Sequence, residues 1–584
     1  MSNPQRGLGR PLAAGLMRPA YACPMHPVDW PSRRRRAIFV SLVVVTLAAG
    51  SLGLLVEGSR SPFIEPAASV PIPSFPSVPP IVPGSTPGVA ATIPLVRPDV
   101  PFIGGEVWQL THESSAARLI EGFASSPSYL PGQMLRLAVS TSGASYRVSI
   151  YRVSGAAPTA SPFVRMAALP SQPGQRQAAP VVDPVTKSVR APWSYSAAFT
   201  IPVEWPSGVY VARLESDEDA QSYVPFVVRS ARPTRFLVVS SALTWQAYNM
   251  WGGSNLYKSN VGQPVPGVTR AFAVSFDRPY KSGGGAGQLF SLELPMLAWL
   301  ERQHLDVSYT TDYDLSVNPD AQPLPKAVIF NGHSEYWGVP LRLWLEDHVL
   351  NRGDLNLGVF AADSGYWPVV LSGSGLDGPR IATCYKNGPL PDLSAAGASG
   401  PPPSSGTSDL PIESAGVEEE TSSGIPVGSF PPTGPYLGPY TGSFDVQRLS
   451  GVSYQYVTTT MANYTLSNPL ADPSLLEGTR IVPGAPLGFF AGGEVDAVRQ
   501  TSGASAPTDS APVAVVAGAY GIPSRHGDIS SAEAVYRSLA NGAQVFASGT
   551  LYWGWALDPS FAVEHNVTPG FERLTLNLLA RLGR

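Results

Sequence analysis

The stretch Asn331-Gly332-His333-Ser334-Glu335-Tyr336-Trp337-Gly338 follows the apolar run KAVIF and precedes VPLRLWLEDHVL, whose apolar residues recur at helical spacing. A strand, a sharp turn carrying Gly332 and a helix form the setting of a nucleophile elbow, with Ser334 in the serine's place. The elbow pattern asks for glycine two residues after the serine, and this chain has Tyr336 there. The same turn offers a second chemistry, because His333 and Glu335 are a nitrogen and an oxygen ligand two residues apart. Either the serine works or its neighbours do.

Such residues act only where the fold brings others to them. From TRFLVVSS onward, apolar strands alternate with amphipathic helices: LELPMLAWLERQH, DVSYTT, KAVIFNG, VPLRLWLEDHVLNRG, LNLGVFAAD and, late in the chain, AQVFASG. That alternation predicts an α/β domain over 231–584 with a mainly parallel sheet covered on both faces. Ligands in such sheets bind outside the carboxyl ends of the strands. Three strands deliver polar groups to that edge: Tyr248 and Asn249 after FLVVSS, His333 and Glu335 after AVIFNG, and Asp363 after LGVFAA. Ahead of this domain, GQMLRLAVSTS, SYRVSIYRVSG, GVYVARLES and SYVPFVVRS alternate with period two. Residues 105–230 therefore read as an immunoglobulin-like β-sandwich. The segment 388–436 is too rich in Gly, Pro and Ser to pack and reads as a disordered insertion.

The N-terminal part is built differently. Arg33 to Arg36 precede about 20 mostly apolar residues, 37–56, long enough to cross a hydrocarbon core as a helix or to serve as an export signal. The basic leader 1–36 then stays cytoplasmic, and the rest is exported, either membrane-anchored or secreted after cleavage. Residues 57–104 are a Pro-rich stalk. Cys23 and Cys384 cannot build a disulfide framework. Cys23, Met25 and His26 in YACPMHP form at most a half-site for a soft metal. A net charge of −4 with 14% charged residues excludes nucleic acid as a partner. SGGGAG at 282–287 lacks the strand-before, helix-after setting of a phosphate loop.

TWQAYNMWGGSNLY, VSFDRPY, ELPMLAWLER, GHSEYW, FAADSGYW and CYK, in that order, resemble the large (β) subunit of N,N-dimethylformamidase and its relatives over about 110–560. The resemblance implies a glutamine amidotransferase-like α/β domain and a mononuclear ferric iron, Fe(III), held by two tyrosines and a glutamate. Carried over by motif, the glutamate is Glu335 and the tyrosines are Tyr248 of QAYN and Tyr280 of DRPY. His333 matches the histidine beside the metal, and Glu494 of GGEVDAV resembles the GYEVD stretch that would supply a second acid or base. Hard ferric iron suits deprotonated oxygen donors. Asp363 stands where the family has asparagine, adding negative charge beside three anionic ligands.

These readings predict an extracytoplasmic, iron-dependent hydrolase cleaving the C–N bond of a small amide, with catalytic His333, Asp363 and Glu494. A non-catalytic cell-surface protein with a degenerate site is the alternative, and serine hydrolysis through Ser334 a third. Asp277 and Arg278 read as a structural ion pair. A small partner subunit or a homo-oligomer is compatible with the same sequence.

Overall fold

The computed structural model describes residues 108–113, 118–155, 161–262, 269–384, 446–468, 470–498 and 513–584. The leader, the 37–56 segment, the stalk and the 388–436 insertion lie outside these residues. Among the described residues no helix is long and apolar enough to cross a membrane. Strand outweighs helix there, 38% against 21%, and the sheets are mixed. This corrects the expected fold class: the sheet of 231–584 is mixed, not mainly parallel, and strand predominates over helix; the expected membrane segment falls on residues outside those described.

Two sheets pack face to face over residues 120–228. One holds Ile120–Ala124, Met134–Thr141 and Ala197–Thr200, and the other has six strands, among them Ser145–Val153, Gly208–Ser216 and Gln221–Val228. Alternate residues point the same way along a strand. Leu135, Leu137 and Val139 therefore meet Val148, Ile150 and Leu214 in one buried cluster.

The main sheet has nine strands. In spatial order they are Val307–Thr311, Phe236–Ser240, Ala327–His333, Asn356–Ala362, Gln544–Ala547, Ile529–Ser538, Ala514–Pro523, Ala462–Leu466 and Pro486–Ala491. The first five run parallel. Every later pairing is antiparallel. The parallel half follows from the strand and helix alternation. The antiparallel half escapes it, because AVVAGAYGIP and ISSAEAVYRS are rich in Gly, Ala and Ser and alternate only weakly.

Both faces of the parallel half are covered, as buried strands require. Val238, Ile329 and Phe360 pack with Leu297 and Leu300 of the Leu294–Arg302 helix and Leu578 of the Phe571–Leu582 helix. Leu237, Val239, Val328 and Phe330 pack with Leu341 and Trp344 of the Val339–Leu345 helix. Two smaller sheets sit at the carboxyl edge. Tyr336–Gly338 pairs in parallel with Trp367–Ser372, and Glu494–Ala497 pairs with Ser453–Val457.

Candidate active site

Four segments converge on one buried group. The Ala327–His333 strand ends on His333, in register with Ala362 of the neighbouring strand. Gly332 just before it has φ 73°, and a Cβ there would lie 2.7 Å from the Leu292 carbonyl oxygen, so only glycine fits. Beyond His333 the chain stays extended. The Ser334 hydroxyl accepts from the Trp337 indole at 2.9 Å, its carbonyl accepts from Gly365 N–H, and Thr244 Oγ1 accepts from Tyr336 N–H at 3.2 Å. Ser334 is thus spent on holding this segment in place, and Glu335 is buried beside it.

Tyr248 closes the Ala242–Tyr248 helix and Tyr257 follows nine residues later. Asn255 fixes both: its amide donates to the Tyr248 carbonyl at 2.9 Å, and its side-chain oxygen accepts from Tyr257 N–H at 2.9 Å. Arg278 holds the loop between them, donating to the carbonyls of Gln246 at 3.0 Å and Ser254 at 2.8 Å. The result is a cluster of oxygens. The Tyr257 hydroxyl donates to Glu335 Oε1 at 2.5 Å, lies 2.8 Å from the Tyr248 hydroxyl and accepts from Tyr336 at 2.7 Å. Burial first, and then the Glu335 carboxylate, pushes both Tyr248 and Tyr257 well above the ordinary phenol value. In this pocket a phenol loses its proton only to a strong cation.

The second half of the site is acid and imidazole. His333 Nε2 lies 2.8 Å from Glu494 Oε2 and 3.3 Å from Glu335 Oε2. Burial alone would lower the imidazole pKa. Glu494, then Glu335, outweighs that and raises it to about 10. His333, Asp363 and Glu494 each present a ligand atom within 4.8 Å of the others. Asp363 sits at φ 51°, a left-handed conformation that aspartate tolerates better than most residues. Both carboxylate oxygens of Asp496 accept from its backbone N–H, at 2.9 and 3.1 Å.

The structure therefore gathers Tyr248, His333, Glu335, Asp363 and Glu494. Tyr280 is held elsewhere. Phe276 N–H bonds to the Arg380 carbonyl and Ala191 N–H to the Asp277 carbonyl, turning the chain toward the sandwich. Tyr280 consequently meets Trp245, with ring centroids 6.1 Å apart, and its charged neighbours are Asp312, Arg278 and Arg380. Tyr257, at the SNLY end of the TWQAYNMWGGSNLY motif that also holds Tyr248, stands beside Glu335, where the resemblance had implied Tyr280. The Asp277–Arg278 pair is also corrected: Asp277 pairs with Arg380 at 2.7 Å.

With this geometry in view, the sequence model of the family described as N,N-dimethylformamidase beta subunit-like, C-terminal, matches residues 147–407 and 436–568. The chain belongs to that family. The match breaks between 407 and 436, within the insertion recognised by its composition. No curated protein matches. Among solved structures, a cycloisomaltooligosaccharide glucanotransferase from Paenibacillus sp., complexed with cycloisomaltoheptaose, is similar at 9% identity and a TM-score of 0.13. The likeness covers 46% of this chain and 34% of that one, and it carries no argument.

Proposed function

We propose that this dimethylformamidase-like chain hydrolyses the C–N bond of a small amide, with a ferric ion held by Tyr248, Tyr257 and Glu335. The observation that carries the reading is the Tyr257 hydroxyl, within 2.8 Å of both the Tyr248 hydroxyl and Glu335. Two phenols and a carboxylate, once deprotonated, are three hard anionic oxygens, a donor set that fits a hard trivalent cation. A ferric ion bound there supplies Lewis acidity toward the amide carbonyl.

The protein's own groups handle the protons. His333, charged between Glu494 and Glu335, holds a proton at Nε2 and passes it to the departing amine nitrogen as the C–N bond breaks. Glu494 takes the proton that the attacking water releases. The 2.8 Å contact between Glu494 and His333 then returns that proton to the imidazole, so one amide and one water leave as acid and amine with both groups restored. Asp363 adds a carboxylate to this edge and disfavours anionic amides.

The test is the metal and its colour. Purified protein is expected to contain about one iron and to show a phenolate-to-iron charge-transfer band in the visible. Glu335→Ala should lose most of the metal, and Tyr257→Phe should weaken the band. Tyr280→Phe and Ser334→Ala should leave both intact. A metal-free protein whose amide hydrolysis vanishes with Ser334→Ala alone would overturn the assignment.

A further inference from the structure

Three elements end on one point beside the phenol cluster. His333 closes the Ala327–His333 strand, Asp363 follows the Asn356–Ala362 strand that pairs with it, and Glu494 opens the Glu494–Ala497 ribbon. Asp496 pins this arrangement: its N–H donates to the Gly549 carbonyl at 3.1 Å, and its carboxylate accepts from Asp363 N–H. His333, Asp363 and Glu494 each bring one ligand atom within 4.8 Å of the others. The side chains of His333 and Glu494 are 3% and 13% exposed, and Asp363 is buried.

A neutral imidazole with two carboxylates is a donor set that zinc takes, with ligands at about 2.0 to 2.2 Å and a position left for water. Ligand atoms of a tetrahedral ion at such lengths stand roughly 3.3 Å apart. Nε2 of His333 is 2.8 Å from Glu494 Oε2 and 3.3 Å from Glu335 Oε2, which is the same scale. Glu335 serves two sides, with Oε1 accepting from Tyr257 and Oε2 beside His333. Charge points the same way. The main charged influences on Tyr248, His333 and Asp496 come from carboxylates and from the imidazole itself. A proton on Nε2 offsets one of the two carboxylates Asp363 and Glu494, whereas a divalent ion on the neutral ring offsets both. Asp496 behind them is pushed up to about 7 by burial, with Glu494 adding to it, so negative charge remains in excess even where it is protonated.

We infer that His333, Asp363 and Glu494 form a second metal site, for a divalent cation with the ligand preference of zinc, and that Glu335 is the carboxylate it shares with the phenol cluster. Its three ligands are residues that the iron assignment leaves unligated, so the site stands whether or not iron occupies the phenols. Its effect rests on the hydrolytic reading above: Nε2 carries either the cation or the proton for the departing amine, and zinc therefore switches the reaction off.

Zinc itself is the probe. The full chain is equilibrated with zinc by dialysis, and zinc and iron are counted on the same sample. About one zinc per chain should bind with no iron released. Asp363→Asn and Glu494→Gln keep the shape of each side chain and remove one anionic ligand. Each should weaken zinc binding by about 100-fold or more, since even an outer-shell partner is worth roughly 10- to 100-fold. Circular dichroism checks their folding, and two variants on two different elements keep the test decisive if one of them misfolds. Tyr257→Phe should still bind zinc. That arm separates the two readings: protein without iron, whose zinc survives Tyr257→Phe and is lost in Asp363→Asn, removes the iron assignment and keeps this site. Undiminished zinc binding in both carboxylate variants, zinc that displaces iron one for one, or no zinc bound at all would overturn it.

Discussion

The Tyr257 hydroxyl has three oxygen neighbours within 2.8 Å, one each from Tyr248, Glu335 and Tyr336. His333 is distinguished from this cluster by its task. His333→Gln should keep the fold and the colour while lowering kcat by roughly 10² to 10⁴, the usual worth of a positioned proton donor; kinetics and absorbance on the same preparation check this. Asp363→Asn should also fold, since asparagine tolerates φ near 51°. Removing that carboxylate should raise turnover of neutral amides relative to amides bearing an ammonium group, read as a change in the ratio of kcat/KM values. His333, Glu335 and Asp363 were legible in the sequence because each directly follows an apolar run, and the end of a strand fixes where its next residues lie. Tyr257 was not. Its place depends on Asn255 and Arg278 folding a loop, and no periodicity records that. Glu494 was visible only through the family resemblance, since the ribbon that carries it belongs to the half of the fold with the weakest pattern.

The Ala242–Tyr248 helix is set in place by two buried carboxylates. Glu293 accepts from Ser241 N–H at 2.9 Å and from the Trp245 indole at 3.0 Å, and Asp312 accepts from Leu243 N–H at 2.9 Å. Burial raises Glu293 from 4.5 to about 7, against the pull of these hydrogen bonds. A carboxyl whose folded value is raised favours the protonated native state. Its contribution is complete below about pH 4.5 and is lost as pH rises through about 7. Glu293→Gln keeps the oxygen that accepts both bonds and removes the titration. Tm plotted against pH should accordingly fall less steeply between 4.5 and 7 in the variant. Some slope should persist, because burial also raises Asp496 to about 7. Helices and parallel strands were readable here from their apolar periodicity. The antiparallel strands were not, because small residues such as those of Ala514–Pro523 leave little contrast between a buried face and an exposed one.

Across the whole molecule, the sandwich and the mixed sheet belong to one compact unit. A buried pair ties them together: Arg152 of the Ser145–Val153 strand meets Glu301 of the Leu294–Arg302 helix at 2.9 Å, and Tyr309 donates to the same carboxylate at 2.7 Å. Glu301→Ala should cost roughly 3 to 5 kcal/mol in urea unfolding, because it strands a buried guanidinium. The double replacement Arg152→Met with Glu301→Leu should cost less than that single change. If the two were independent surface charges, both effects would be small.

The position of Gln544–Ala547 in the main sheet has a consequence for how the protein is made. This strand joins the parallel half to the antiparallel half, between Asn356–Ala362 and Ile529–Ser538, yet in sequence it follows every other strand of the sheet. During synthesis the halves carrying His333 and Glu494 have no shared strand until residue 547 has left the ribosome. The pocket therefore assembles only once residue 547 is available, through contacts far apart in sequence, which fold slowly. Nascent chains halted before residue 544 should stay protease-sensitive across 514–538, where the complete sheet should be resistant.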